Sequence, residues 1–261
     1  MIDTHLHLDD DAFSGQVPQI IERFDQAGID FVINNSADYD GMVASFRLAQ
    51  AYDKVFATVG MHPHTAKDFD ERFVQTMEQF STHPKVVAVG EIGLDYHYDL
   101  SDRQTQRDVF ARQLELAGKF RLPVTLHVRE AYQDALDVLT AQHKYLNSGV
   151  LWHCYSGSED FAKRLVKLGH YFAFGGAITF KNAKKEGVIA AIPTDRVLCE
   201  TDSPYMAPVP LRGTTNTPFN IPLITQKLAE VYGITRQQME EIILQNCLNL
   251  FPKIAKYFNL Q

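Results

Sequence analysis

The sequence predicts an α/β protein of the (β/α)8, or TIM-barrel, class, built as a single domain over residues 1–261 with an extra C-terminal helix. Three observations carry that prediction. Short β-rich runs alternate with amphipathic helical stretches from end to end. The alternation recurs eight times. The strand runs are apolar enough to be buried on both faces, as parallel strands covered by helices are. Eight such units in roughly 250 residues suit a closed barrel better than an open doubly wound sheet, which stays as the alternative.

Taken in order, MIDTHLHL reads as the first strand, VPQIIERFDQAG as a helix closing at Gly28, and FVINNSA as a strand. YDGMVASFRLAQAY is helical, and VFATVGMH is a strand running into His62-Pro63-His64. FVQTMEQFS leads to the strand VVAVGEIGLD, followed by a long helix from about Asp102 to Arg121. PVTLHVRE, VLWHCYSG, YFAFGGAITF and VLCETDSPY are further strands, separated by helices around AYQDALDVL, SEDFAKRLVKLG and GVIAAIP. LITQKLAEVYG and TRQQMEEIILQNCLNLF close the chain as amphipathic helices, apolar at three- and four-residue spacing. No linker or composition shift divides the chain, and no sequence-level duplication shows.

Bulk properties narrow the function classes. Hydrophobic residues make up 45% and charged ones 22%, ordinary values for a globular protein. No apolar run approaches the ~20 residues of a membrane span, and the opening residues lack a secretory signal, so no membrane role is expected. Cys154, Cys199 and Cys247 are scattered without a paired framework, which suits buried thiols and a cytoplasmic location. The net charge of −7 argues against a broad basic surface gripping nucleic acid. It leaves a phosphate-bearing substrate open, because bound divalent cations invert the local field. No exposed apolar helix face stands out, so a monomer without an obligate protein partner is expected.

Chemistry concentrates at the C-terminal ends of the strands. His5 and His7, two apart in a strand, share one face. His62 and His64 end the third strand, Glu91 the fourth, His127 and Arg129 the fifth, His153 the sixth, and Glu200 and Asp202 the eighth. In a parallel barrel these ends share one rim, where barrel active sites lie. Imidazoles and carboxylates together bind Zn²⁺, Mn²⁺ or Fe²⁺, or Mg²⁺ with more water. His5, His7 and Asp202 can hold one ion, His127 and His153 a second, and Glu91 is placed to bridge both. Two such ions activate a water at neutral pH, with Asp202 serving as ligand and general base together.

The remaining candidates have weaker claims. His62 and His64 flank Pro63 and either meet substrate or stiffen the loop. Arg129 shares a face with His127, where a guanidinium forks onto phosphate or pairs with Glu91 or Glu200. Glu200 reads as a partner of the ligands, and Asp95 as a residue that orients a histidine or the loop. Tyr96, Tyr98, Tyr155 and Tyr205 fall just past strand ends, where stacking on bases competes with ordinary packing. Surface positions are expected for His83, His97, His143 and His170.

Assembled, the stretches DTHLHLD, VGMHPH, VGEIGLDY, PVTLHVREA, HCYSGS, GGAITFKNA, ETDSPYMAP, RGTTNTP and NCLNLF resemble the TatD-type metal-dependent hydrolases, from Asp3 to Phe251. The resemblance implies a barrel with two divalent ions (Zn²⁺, Mg²⁺ or Mn²⁺) held by His5, His7, Glu91, His127, His153 and Asp202. It also implies phosphate-ester hydrolysis, typically a DNase with 3′-to-5′ exonuclease character on single strands. Two departures stand out. The family often has a basic pair and then Asn-Glu-Pro where this chain reads Thr214-Thr215-Asn216-Thr217-Pro218, and Tyr155 replaces the usual Phe. Lost charge in that loop weakens DNA as the substrate and favours a rival, an amidohydrolase, lactonase or esterase acting on a small molecule. A scaffold with a vestigial site is a third reading, opposed by the intact ligand set.

Overall fold

The computed structural model describes residues 1–259. Its eight parallel strands are β1 (Ile2–Leu6), β2 (Phe31–Asn34), β3 (Val55–Val59), β4 (Val86–Asp95), β5 (Val124–Arg129), β6 (Val150–Trp152), β7 (Tyr171–Phe174) and β8 (Val197–Cys199). They neighbour one another in chain order in one eight-stranded sheet, the arrangement of the expected (β/α)8 barrel. Between them lie α1 (Val17–Glu22), α2 (Phe24–Ala27), α3 (Tyr39–Ala51), α4 (Glu71–Ser81), α5 (Arg103–Phe120), α6 (Tyr132–Ala141), α7 (Glu159–Lys167) and α8 (Glu186–Ala190). After β8 come α9 (Ile221–Tyr232), α10 (Arg236–Leu250) and the extra C-terminal helix α11 (Pro252–Tyr257). Among the described residues, no helix is long and apolar enough to cross a membrane.

Two compact units make up the chain, the first Met1–Asn34 with Cys154–Asn249, the second Asn35–His153 with the residues from Leu250 on. In the first, β1 pairs with β2 at Ile2 and Phe31, and β7 with β8 at Phe172 and Val197. β8 lies against β1, where the Thr4 hydroxyl donates to the Cys199 carbonyl at 2.9 Å. The helix expected up to Gly28 is broken at Arg23 into α1 and α2, and Gly28 closes it in the left-handed region at φ 69°. The strand expected over YFAFGGAITF stops at Phe174, and Gly176–Thr179 turns as a 3₁₀ helix. A Cβ on Gly176 would stand 2.0 Å from the Met206 carbonyl oxygen, so the segment after β8 packs where a strand would have continued.

In the second unit β3, β4, β5 and β6 pair in parallel, with Gly93 opposite His127 and Leu126 opposite Trp152. Phe56, Phe73, Phe110 and Trp152 fill its interior. Asp70 caps α4 by accepting from the Phe73 N–H, and Asp102 caps α5. β3 ends at Val59, earlier than its sequence suggests, because the Gln113 amide takes over the backbone of Met61. Its Oε1 accepts from the Met61 N–H at 2.7 Å and its Nε2 donates to the Met61 carbonyl at 3.1 Å. His62 therefore caps, and His64 sits in, a 3₁₀ turn, Pro63–Asp68, rather than on the strand. α11 is fastened by Lys253, whose ammonium donates to the carbonyls of Ser81, His83 and Val86 at 2.9, 3.0 and 2.9 Å.

Candidate metal centre

The first unit gathers His5, His7 and Asp202. His5 is buried in β1, His7 follows the strand end, and their Nε2 atoms stand 3.3 Å apart. Asp202 Oδ1 lies 3.9 Å from His5 Nε2 and 3.7 Å from His7 Nε2. Asp202, at φ 56°, is held there by main-chain bonds: its N–H donates to the His5 carbonyl at 2.9 Å, and the His7 N–H to the Ser203 carbonyl at 2.8 Å. Buried Asp3 pins the same loop, accepting from the N–H and hydroxyl of Thr201 and from the His5 N–H. Burial pushes its carboxyl up to about 7, against those hydrogen bonds. On the other side the Asn216 amide donates to the Thr201 and Tyr205 carbonyls at 2.7 and 2.8 Å. Glu200 Oε1 accepts from the Cys154 N–H at 2.6 Å.

The second unit builds its cluster on two carboxylates of β4. Glu91 Oε1 lies 2.9 Å from His127 Nδ1, 3.2 Å from His153 Nε2 and 3.5 Å from His62 Nε2. Asp95 Oδ2 lies 2.9 Å from both His127 Nε2 and His64 Nε2, while its Oδ1 accepts from the N–H groups of His97 and Tyr98. His127 thus has one ring nitrogen toward Glu91 and the other anchored by Asp95. Burial works against the Asp95 charge, but the bonds from His127, Tyr98 and His64 outweigh it and hold the carboxyl well below its usual range. Burial also holds His62 well below the ordinary imidazole value, so its ring is neutral near pH 7. Gly93 makes this proximity possible. At φ 140°, a Cβ there would stand 2.1 Å from the His127 carbonyl oxygen.

These donor sets suit divalent cations. Glu91, His127 and His153 bring their ligand atoms within 4.8 Å of one another, as do His62, His64 and His127. In the first unit only one N–H can lie between the facing nitrogens of His5 and His7, so the other presents a lone pair beside a carboxylate oxygen. A cation relieves that crowding. Asp95 behind His127 is the outer carboxylate that metal-bound histidines usually have.

The other candidates sort by exposure. Arg129 ends β5 exposed, its guanidinium 4.9 Å from the centre of the Tyr98 ring; among the described residues it makes no ion pair, with Glu91, Glu200 or any other carboxylate. Tyr155 is buried edge-on to Phe172 and unavailable for stacking. The Tyr96 hydroxyl donates to Asp134, and Tyr205 reaches Asp10. His170, expected at the surface, is buried, and burial lowers it to about 4. Sequence reasoning missed Asp3 and Asn216 as organisers of the Thr201–Tyr205 loop, and also Gln106, whose Oε1 accepts from the Asp95 N–H at 2.8 Å. Most of their partners are main-chain groups on other segments, so only the quoted motifs DTHLHLD and RGTTNTP marked two of them.

A (β/α)8 fold that carries imidazoles and carboxylates in and just past its strands defines the class of metal-dependent barrel hydrolases. The family model described as TatD related DNase matches residues 2–252, and the chain belongs to that family as a metal-dependent hydrolase. It is 34% identical to the uncharacterized metal-dependent hydrolase YabD of Bacillus subtilis, over 96% of this chain and 98% of YabD. Identity is 33% to the 3′-5′ ssDNA/RNA exonuclease TatD of Edwardsiella piscicida, over 96% of this chain and 99% of the relative. The crystal structure of YjjV, a TatD homologue from Escherichia coli, superposes with a TM-score of 0.90 at 32% identity, covering 97% of this chain and 98% of YjjV.

Proposed function

We propose that this protein is a divalent-metal-dependent phosphodiesterase that releases nucleotides from the 3′ end of single-stranded DNA. His5, His7 and Asp202 are proposed to hold one ion and His127 with His153 a second; the TatD resemblance makes Glu91 the ligand they share. The observation that carries the reading is the buried Glu91 oxygen with imidazole nitrogens at 2.9, 3.2 and 3.5 Å. Ions bound there would supply an activated water at neutral pH and offset charge on phosphate oxygens. Asp202 takes the proton of the attacking water as general base. His62 in its neutral form and His64, steadied by Asp95, donate to the phosphate, and Arg129 approaches it from the end of β5.

The name of the Edwardsiella relative supports a nucleic-acid substrate. Exposed, uncharged Thr214 and Thr215 favour the second reading, hydrolysis of a small neutral ester, lactone or amide. Digestion of 3′-labelled and 5′-labelled single-stranded oligomers separates the two. Metal-stripped protein is restored with Mg²⁺, Mn²⁺ or Zn²⁺, with Glu91→Ala as control. A ladder shortening from the 3′ end, absent in the variant, is the expected outcome. Intact oligomers beside turnover of an ester or lactone would replace the nuclease with the small-molecule hydrolase.

A further inference from the structure

We infer that Tyr98 and Arg129 form a nucleotide subsite, in which an unpaired base stacks on the Tyr98 ring while the Arg129 guanidinium edge holds an adjoining phosphate. The inference rests on the nuclease reading above and adds what that reading lacks, a feature that recognises the base.

Tyr98 differs from the other tyrosines past the strand ends. It leaves 53% of its surface open, as Tyr205 does at 51%, but among the described residues the Tyr98 hydroxyl makes no hydrogen bond. Tyr155 is buried, the Tyr96 hydroxyl is tied to Asp134, and the Tyr205 hydroxyl is tied to Asp10. The open ring is also placed relative to the cluster. The Tyr98 main-chain N–H donates to Asp95 Oδ1 at 2.9 Å, and Asp95 Oδ2 holds both His64 and His127. The ring meets His64 at 5.4 Å between centres and 88° between planes.

Arg129 completes the pair. It lies two residues after His127 in β5, on the same face of the strand. Its guanidinium carbon stands 4.9 Å from the Tyr98 ring centre, within cation–π distance. A guanidinium resting on an aromatic ring keeps its N–H edge free for two phosphate oxygens. Aromatic rings stack on any unpaired base without reading its sequence, and Arg beside them adds to the hold. The chemistry recognised is therefore a single-stranded nucleotide with its base present, in preference to a bare phosphodiester.

The metal-loaded enzyme tests this with two single-stranded DNA oligomers, one with a normal nucleotide at the attacked end and one with an abasic tetrahydrofuran residue there. The abasic end is expected to raise KM of the wild type by about tenfold or more. Tyr98→Phe keeps that preference, and Tyr98→Ala brings the two KM values together. Arg129→Ala raises KM on both oligomers alike and lowers the salt dependence, by about one phosphate contact. Equal KM values in the wild type, or a preference that survives Tyr98→Ala, would overturn the subsite while leaving the nuclease intact. A wild type that cleaves neither oligomer overturns the nuclease reading and the subsite with it.

Discussion

Asp95 is not proposed as a metal ligand, yet one buried carboxylate holds His127, His64 and the N–H groups of two following residues. Asp95→Asn keeps the size but puts an amide N–H against either the two imidazoles on Oδ2 or the two main-chain N–H groups on Oδ1, so the post behind His127 is lost or displaced in either orientation. Metal affinity should fall roughly 10- to 100-fold, as for outer-shell partners elsewhere, measured by titrating stripped protein with Mn²⁺ or Zn²⁺. An unchanged affinity would leave Asp95 a loop anchor only. His170 makes a different prediction. Burial holds it at about 4 in the fold against 6.5 for an ordinary imidazole, so the unfolded chain takes up the proton first. Its contribution is fully present above pH 6.5 and is lost as pH falls from 6.5 to about 4. That loss is on the order of 3 kcal/mol, and denaturant melts of His170→Gln should show a flatter acid limb. Single residues were legible where side-chain chemistry recurred at strand ends, as with His5, Glu91 and His127. They were not where the partner was a distant main-chain group (Asp3 and Asn216), or where burial followed from packing before β7 (His170).

At the level of elements, β4 approaches β5 closely because Gly93 has no side chain. Gly93→Ala must displace the His127 carbonyl, which a Cβ would approach to 2.1 Å. A loss of more than about 2 kcal/mol is expected from overpacking and backbone strain together. It should come with weakened metal binding, since His127 moves with its carbonyl. Gly213→Ala is the control: its φ of 91° is also positive, but its Cβ would meet nothing within 4 Å. Equal urea midpoints for the two variants would show that close approach contributes nothing. Strand and helix order was readable from alternating periodicities, whereas the ends of elements were not. VFATVGMH looks like one strand until Gln113, from α5, occupies the backbone at Met61. YFAFGGAITF looks like another until Met206 meets Gly176. In each case a contact from far along the chain overrides a local pattern.

For the whole molecule, bound metal should act as a stabiliser in proportion to its occupancy. Ions held only by the fold favour it by about 4 kcal/mol at a thousandfold excess over Kd. Chelation should therefore lower Tm, and Mn²⁺ or Zn²⁺ should restore it; equal melting with and without chelator would count against sites of that affinity. The (β/α)8 class itself was legible because eight alternations admit few other layouts, and the motifs quoted above resemble one family in the same order along the chain. What no spacing displayed was how the chain's last helix is fastened. Lys253 donates to the carbonyls of Ser81, His83 and Val86, all of them main-chain groups. A carbonyl survives every substitution of its own side chain, so the heredity of this joint is lopsided. Positions 81, 83 and 86 keep their acceptors whatever side chain they carry, while a single change at 253 to a residue without N–H donors in its side chain removes every donor at once.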